Sequence, residues 1–148
     1  MDAETVIRLR QVIVRLARRL NASATHEGLT PSQASVLGLI AGRGPLGHPE
    51  LAQLEGLNPT MLSRVVGRLD EEGLIRRVPN PADLRSVSVE ITPKGQATHQ
   101  RIKAQRAAVV SACVDRLDQG EQDILVAALP ALEALAVELQ RDTAASAN

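Results

Sequence analysis

The sequence predicts a mainly α-helical fold with one small β-hairpin set among its helices, and three observations predict it. Apolar residues recur every three or four positions along most of the chain, the spacing of a single helical face. Thr30-Pro31, Asn58-Pro59 and Thr92-Pro93 each put a capping side chain directly before the residue type best suited to the first helical position. Between Leu74 and Ile91 the period shortens to two, the alternation of a strand.

Val6, Leu9, Ile13, Leu16 and Leu20 form the stripe of the first helix, with Arg8, Arg15, Arg18 and Arg19 mostly off it, and a loop over 21–29 follows. Thr30 caps the second helix and Gln33 completes a capping box, in which each side chain satisfies a backbone N–H of the other. Val36, Leu37, Leu39 and Ile40 make its apolar face, and Gly42, Gly44 and Pro45 end it. A short third helix begins at Pro49 and runs through Leu51 and Leu54 to Gly56. Only the turn Gly56-Leu57-Asn58 separates it from a fourth, striped by Leu62, Val65, Val66 and Leu69 and stopped by Gly73.

Leu74–Val78 is then the first strand and Pro79-Asn80-Pro81-Ala82-Asp83 the turn. In the second strand Val87, Val89 and Ile91 alternate with Ser86, Ser88 and Glu90. From Thr92-Pro93 a long helix runs to about Leu117 on a thin face of Ile102, Val109, Val110, Cys113, Val114 and Leu117. Asp118 and Glu121 form a second capping box. The last helix follows on Leu125, Leu129, Leu132, Leu135, Ala136 and Leu139. Pro130 removes a backbone hydrogen bond in mid-helix and is expected to kink or split it. From Asp142 the residues turn small and polar, and fraying is expected.

Composition narrows the function classes. There is no Phe, Tyr or Trp, so the core is aliphatic and the stacking platforms of single-strand or RNA recognition are missing. No apolar run reaches the roughly 18 residues of a membrane span, and MDAETVIRLR lacks the pattern of a signal peptide. A cytoplasmic chain with no membrane partner is expected. The single Cys113 excludes an internal disulfide and reads as a small apolar helical residue. His26, His48 and His99 share no metal-ligand spacing. The 17 basic and 17 acidic residues cancel, but from Asp118 onward there are six acids and one base, Arg141. The acid is therefore concentrated away from the middle of the chain.

The middle has the design of a DNA reader. A helix–turn–helix presents short polar and basic side chains of its second helix to the major groove. With Leu62, Val66 and Leu69 inward, Thr60, Arg64 and Gly67 point outward and Ser63 and Arg68 lie on the flanks. Arginine suits guanine, Thr and Ser suit base edges or phosphates, and Gly67 allows close approach. In the hairpin, Arg85 near the tip can enter a narrow minor groove, and Asp83 is expected to hold its guanidinium by a charge-assisted bond. Of Arg76 and Arg77 on the incoming strand, at least one is expected to face phosphate.

Residues 29–95 resemble the MarR (multiple-antibiotic-resistance regulator) family of winged helix–turn–helix regulators. The resemblance is carried by LTPSQASVLGLI, by ELAQLEGLNPTMLSRVVGRLDEEGLIRR and by the wing DLRSVSVEITPKG. The strongest parts are Asp83-x-Arg85 followed by Ile91-Thr92-x-x-Gly95, and Leu69-x-x-x-Gly73-Leu74-Ile75-x-Arg77.

The resemblance implies a homodimer built from the terminal helices, residues 1–29 and 93–148, around a winged helix–turn–helix lobe at 30–92. It implies a pseudo-palindromic double-stranded DNA operator and a regulator of the repressor kind. Pro59, Thr60, Ser63 and Arg64 match the contacting part of the recognition helix, and Arg85 matches the wing arginine. No cofactor is implied. A small-molecule effector would be in keeping with many members, although a phenolic one finds no aromatic residue here to stack on. The hydroperoxide-sensing cysteine of one branch, in the first helix, has no counterpart.

Two other classes compete. A winged-helix module that binds protein would present an apolar or acidic outer face; Asp70-Glu71-Glu72 favours it and Thr60, Ser63 and Arg64 oppose it. An enzyme is disfavoured because no nucleophile–base or paired-carboxylate arrangement appears at usable spacing.

Overall fold

The computed structural model describes residues 1–22, 26–80 and 82–146, and the side chains as far as 142. Parts of the loop expected over 21–29, of the turn at Pro79–Asp83 and of the C-terminal tail lie outside the described residues. The chain forms α1 (Ala3–Ala22), α2 (Pro31–Arg43), β1 (Leu46–Gly47), α3 (His48–Glu55), α4 (Pro59–Glu71), β2 (Ile75–Pro79), β3 (Val87–Ile91), α5 (Pro93–Val114) and α6 (Gln119–Ser146). The fold is mainly helical with a small antiparallel sheet, as the periodicities predict.

The caps form as their residue types dictate. The Gln33 amide donates to Thr30 Oγ1 at 3.2 Å while the Thr30 amide donates to Gln33 Oε1 at 2.8 Å, closing the capping box of α2. The Met61 amide donates to Asn58 Oδ1 at 2.8 Å at the start of α4. The Asp118–Glu121 box at the head of α6 is also complete, with bonds of 2.8 and 3.2 Å. Each satisfies amides that a helix start leaves without an intrahelical partner.

Three expectations are corrected. The sheet has three strands in the order β1-β3-β2, because Leu46 and Gly47 pair with Val89 and Ser88. A two-residue strand beside Pro45 has no periodicity to reveal it. Its presence makes β3 central, and Ser88, expected on an exposed face, is buried. Pro130 does not split the last helix: α6 runs through it, the local cost of the missing N–H being absorbed within a 28-residue element. The same helix continues to Ser146 rather than ending near Asp142. Cys113 lies in α5, as a small helical residue, where it is exposed and accepts from Arg116 at 3.2 Å.

The core is centred on the lobe 30–92, joined by Leu29 before it and Ile102 of α5 after it. Val36, Leu37 and Ile40 of α2, Leu51 of α3, and Leu62, Val66 and Leu69 of α4 close on Leu74, Ile75 and Val89 beside the sheet, with Ile102 of α5 sealing one side. By contrast, no residue of α1 is buried. Glu27, after α1, accepts from Arg101 Nε at 3.1 Å and Gln105 Nε2 at 3.2 Å, tying that segment to α5.

The tightest joint lies where α4, β2 and α5 meet. Gly73 at φ 71°, a conformation that side chains resist, turns the chain out of α4. The Thr92 amide donates to Leu74 O at 3.1 Å, and its hydroxyl donates to Gly73 O at 2.6 Å and accepts from the Gly95 amide at 3.0 Å. Lys94 Nζ donates to Glu72 O at 2.6 Å. A Cβ on Gly95 would lie 1.9 Å from Leu74 O, so no larger residue fits without parting the two elements. Gly95→Ala is expected to destabilise the fold by about 3 kcal/mol, measured by denaturant unfolding.

His99 of α5 packs beside Gly38 of α2, where a Cβ would meet its Cε1 at 3.4 Å. Burial, helped by the Lys103 and Arg106 charges, holds the imidazole below its ordinary 6.5. The folded state therefore binds that proton less readily than the unfolded chain. Stability from this site is present above about pH 6.5 and is lost as pH falls. Replacing His99 with Gln should shrink the loss of unfolding free energy between about pH 7 and pH 5, followed by urea titration at both values.

Candidate nucleic-acid interface

The turn after α3 closes with Leu57 N–H donating to Ala52 O at 3.1 Å, and Asn58 then starts α4. Leu62, Val66 and Leu69 anchor one side of α4 in the core. The opposite side therefore faces solvent: Pro59, Thr60, Ser63 and Arg64 are exposed, Arg68 largely so, and Gly67 is partly covered with open space where a Cβ would stand. Met61 joins this surface at 50% exposure. It was missed in the sequence because a methionine beside an apolar stripe reads as core.

The wing tip is wired by its own backbone. Asn80 N–H donates to Ser86 O at 3.1 Å, Asp83 N–H to Asn80 O at 3.2 Å and Ser86 N–H to Asp83 O at 3.0 Å. Asn80 Oδ1 accepts from Ala82 N–H at 2.9 Å. Asp83 differs from expectation: its carboxylate accepts from the Arg85 backbone amide at 3.0 Å and forms no ion pair with the guanidinium among the described residues. An Asx-type bond two residues on is the shorter reach, so Asp83 shapes the turn and leaves the Arg85 charge outside it.

Arginines across this surface divide into two groups. Arg68 pairs with Glu71 at 3.0 Å and Glu72 at 3.8 Å, Arg77 with Asp70 at 3.2 Å, and Arg76 with Glu90. Arg64 and Arg85 have no ion-pair partner among the described residues. The acidic run Asp70-Glu71-Glu72, unexplained from sequence and the one feature favouring a protein-binding face, is thus spent on neighbouring arginines and on the α4–α5 joint. With Arg76 and Arg77 both held by carboxylates, the two uncompensated cations stand on α4 and at the wing tip.

Elsewhere, a cleft of about 620 Å³ between α1 and α5 is lined by Arg19, Ala22, His26, Gln105, Ala108, Val109 and Cys113. No group of three or more potential metal ligands occurs among the described residues. No helix among them is long and apolar enough to cross a membrane.

A polar, basic helix presented by a short helix–turn–helix and followed by a β-wing defines a winged helix–turn–helix transcriptional regulator. The sequence profile of the MarR family matches residues 29–87. The HTH-type transcriptional regulator ML2140 of Mycobacterium leprae is 32% identical over 127 residues, covering 84% of this chain and 87% of that protein. The HTH-type transcriptional repressor MdtR of Bacillus subtilis is 27% identical over 67% of this chain and 64% of its own. Among solved structures, apo MarR from E. coli superposes with a TM-score of 0.74 at 24% identity, over 89% of this chain and 97% of that one. A Staphylococcus aureus MepR mutant bound to an oligodeoxyribonucleotide superposes at 0.65 with 15% identity, over 92% and 99%. This chain belongs to the MarR family of transcriptional regulators, whose members bind DNA.

Removing the Asx bond at the wing should loosen the tip without touching the core. Asp83→Ala is expected to speed exchange of the Arg85 amide about fivefold, the equivalent of about 1 kcal/mol, with the melting temperature little changed; amide hydrogen exchange measures it.

Proposed function

We propose that the chain acts as a homodimeric repressor that binds a pseudo-palindromic duplex, α4 in the major groove and the wing in the minor groove. The observation that carries the reading is the pair of uncompensated guanidiniums, Arg64 and Arg85, on the two elements a winged helix directs at DNA. Arg64 is assigned to base edges together with Thr60 and Ser63. Pro59 and Gly67 let the α4 backbone approach, and Arg85 takes the concentrated negative potential of the minor groove. Arg68, engaged by Glu71 and Glu72, and Arg77, engaged by Asp70, are assigned to flanking phosphates through their remaining N–H groups, and Asp83 to shaping the tip.

Dimerisation is supported by the terminal helices, which have more apolar surface than one chain covers. Leu16 on α1 and Ile124, Val126 and Leu139 on α6 are each more than half exposed. Apolar surface on this scale marks an association face. The domain division of the sequence, with 30–92 as reader and 1–29 and 93–148 as dimer-forming segments, is supported by a core drawn from 30–92 except for Leu29 and Ile102. Repression, rather than activation, is supported by the B. subtilis relative named a repressor.

Selection from random duplex DNA at physiological salt should recover a motif with half-sites about 10 bp apart, bound by a dimer and weakening steeply with salt. Arg64→Ala should cost about 1–3 kcal/mol and relax base preference, while Arg85→Ala should weaken all sequences and flatten the salt dependence. Failure to recover any palindromic motif would overturn the reading.

A further inference from the structure

Apart from the terminal Met1, the most exposed large apolar side chain among the described residues is Leu84, at 82%. It belongs neither to the core nor to the terminal helices. It stands at the wing tip between Asp83, whose carboxylate holds the turn, and Arg85, whose guanidinium is uncompensated. The backbone bonds of Asn80, Asp83 and Ser86 already order this tip, so little conformational entropy remains to be lost when it is engaged. A leucine kept in water on a preorganised turn gains only when something covers it.

We propose that Leu84 is a second contact of the wing, packing on a deoxyribose wall of the minor groove while Arg85 reaches toward its floor. The inference rests on the DNA-binding reading above. A minor groove is about 6 Å wide, and its sides are the C–H surfaces of the sugars. Neighbouring side chains of a tight turn diverge, so the insertion of one brings the other against a wall. Minor-groove binders do use apolar side chains, leucine among them, in this groove. Such a contact releases no counterions, which separates it from an arginine: affinity falls when it is lost, yet the salt slope does not.

The test is binding of the wild-type chain, Leu84→Ser, Leu84→Met and Arg85→Ala to one selected duplex across a salt series, with circular dichroism confirming the fold of each. Leu84→Ser should bind about five- to twentyfold more weakly with the wild-type salt slope, and Leu84→Met should recover most of the affinity. Arg85→Ala should lower both affinity and slope. A Leu84→Ser chain that binds as the wild type does, or whose slope changes as in Arg85→Ala, overturns this inference and leaves the DNA-binding reading in place. A wild-type chain that binds no duplex overturns that reading itself.

Discussion

The seating of Gly95 against the Leu74 carbonyl is the constraint around which the molecule is arranged. With a hypothetical Cβ at 1.9 Å, backbone meets backbone with no side chain between. Around it, Thr92 and Lys94 take up the carbonyls of Gly73 and Glu72 that the end of α4 leaves free. One joint thereby ends the reading helix, starts β2 and launches α5. Because α4 and α5 share it, the orientation of the reading helix follows the orientation of the helices expected to form the dimer. A shift there need not pass through a flexible linker to reach the groove-facing surface.

The charges near that joint follow the same economy. Asp70, Glu71 and Glu72 stand at the C-terminal end of α4, where the helix dipole disfavours acids. Their compensation is local: Asp70 holds Arg77, and Glu71 and Glu72 hold Arg68. These pairs are exposed, and each contributes well under about 1 kcal/mol to stability. Their effect is better seen as distribution of charge. By engaging the arginines nearest the joint, they leave Arg64 and Arg85 as the cations presented outward, midway along the reading helix and at the wing tip.

Much of this was legible in the sequence because the signals are local. The Thr30–Gln33 and Asp118–Glu121 boxes and the Asn58 cap are fixed by residues three apart, and each appears with the hydrogen bonds its spacing implies. The inward stripe of α4 follows from a helical period strong enough to survive any context. What escaped is non-local or lacks a period. Two-residue β1 is recognised only through its pairing with β3, and that pairing buries Ser88. Asp70's partner, Arg77, lies on β2, and Asp83 chose a backbone amide over a guanidinium by proximity alone. Exposed Met61 and Leu84 escaped because an apolar residue in a sequence reads as core until its surroundings are known.

The central claim, that α4 and the wing together engage duplex DNA as a symmetric pair, is tested most directly by hydroxyl-radical footprinting on a duplex selected by the protein. The account predicts two protected segments related by a dyad, each a major-groove half-site flanked by a protected stretch of minor groove, with the flanking protection alone lost in Arg85→Ala. A single asymmetric footprint, or minor-groove protection indifferent to Arg85, would contradict it.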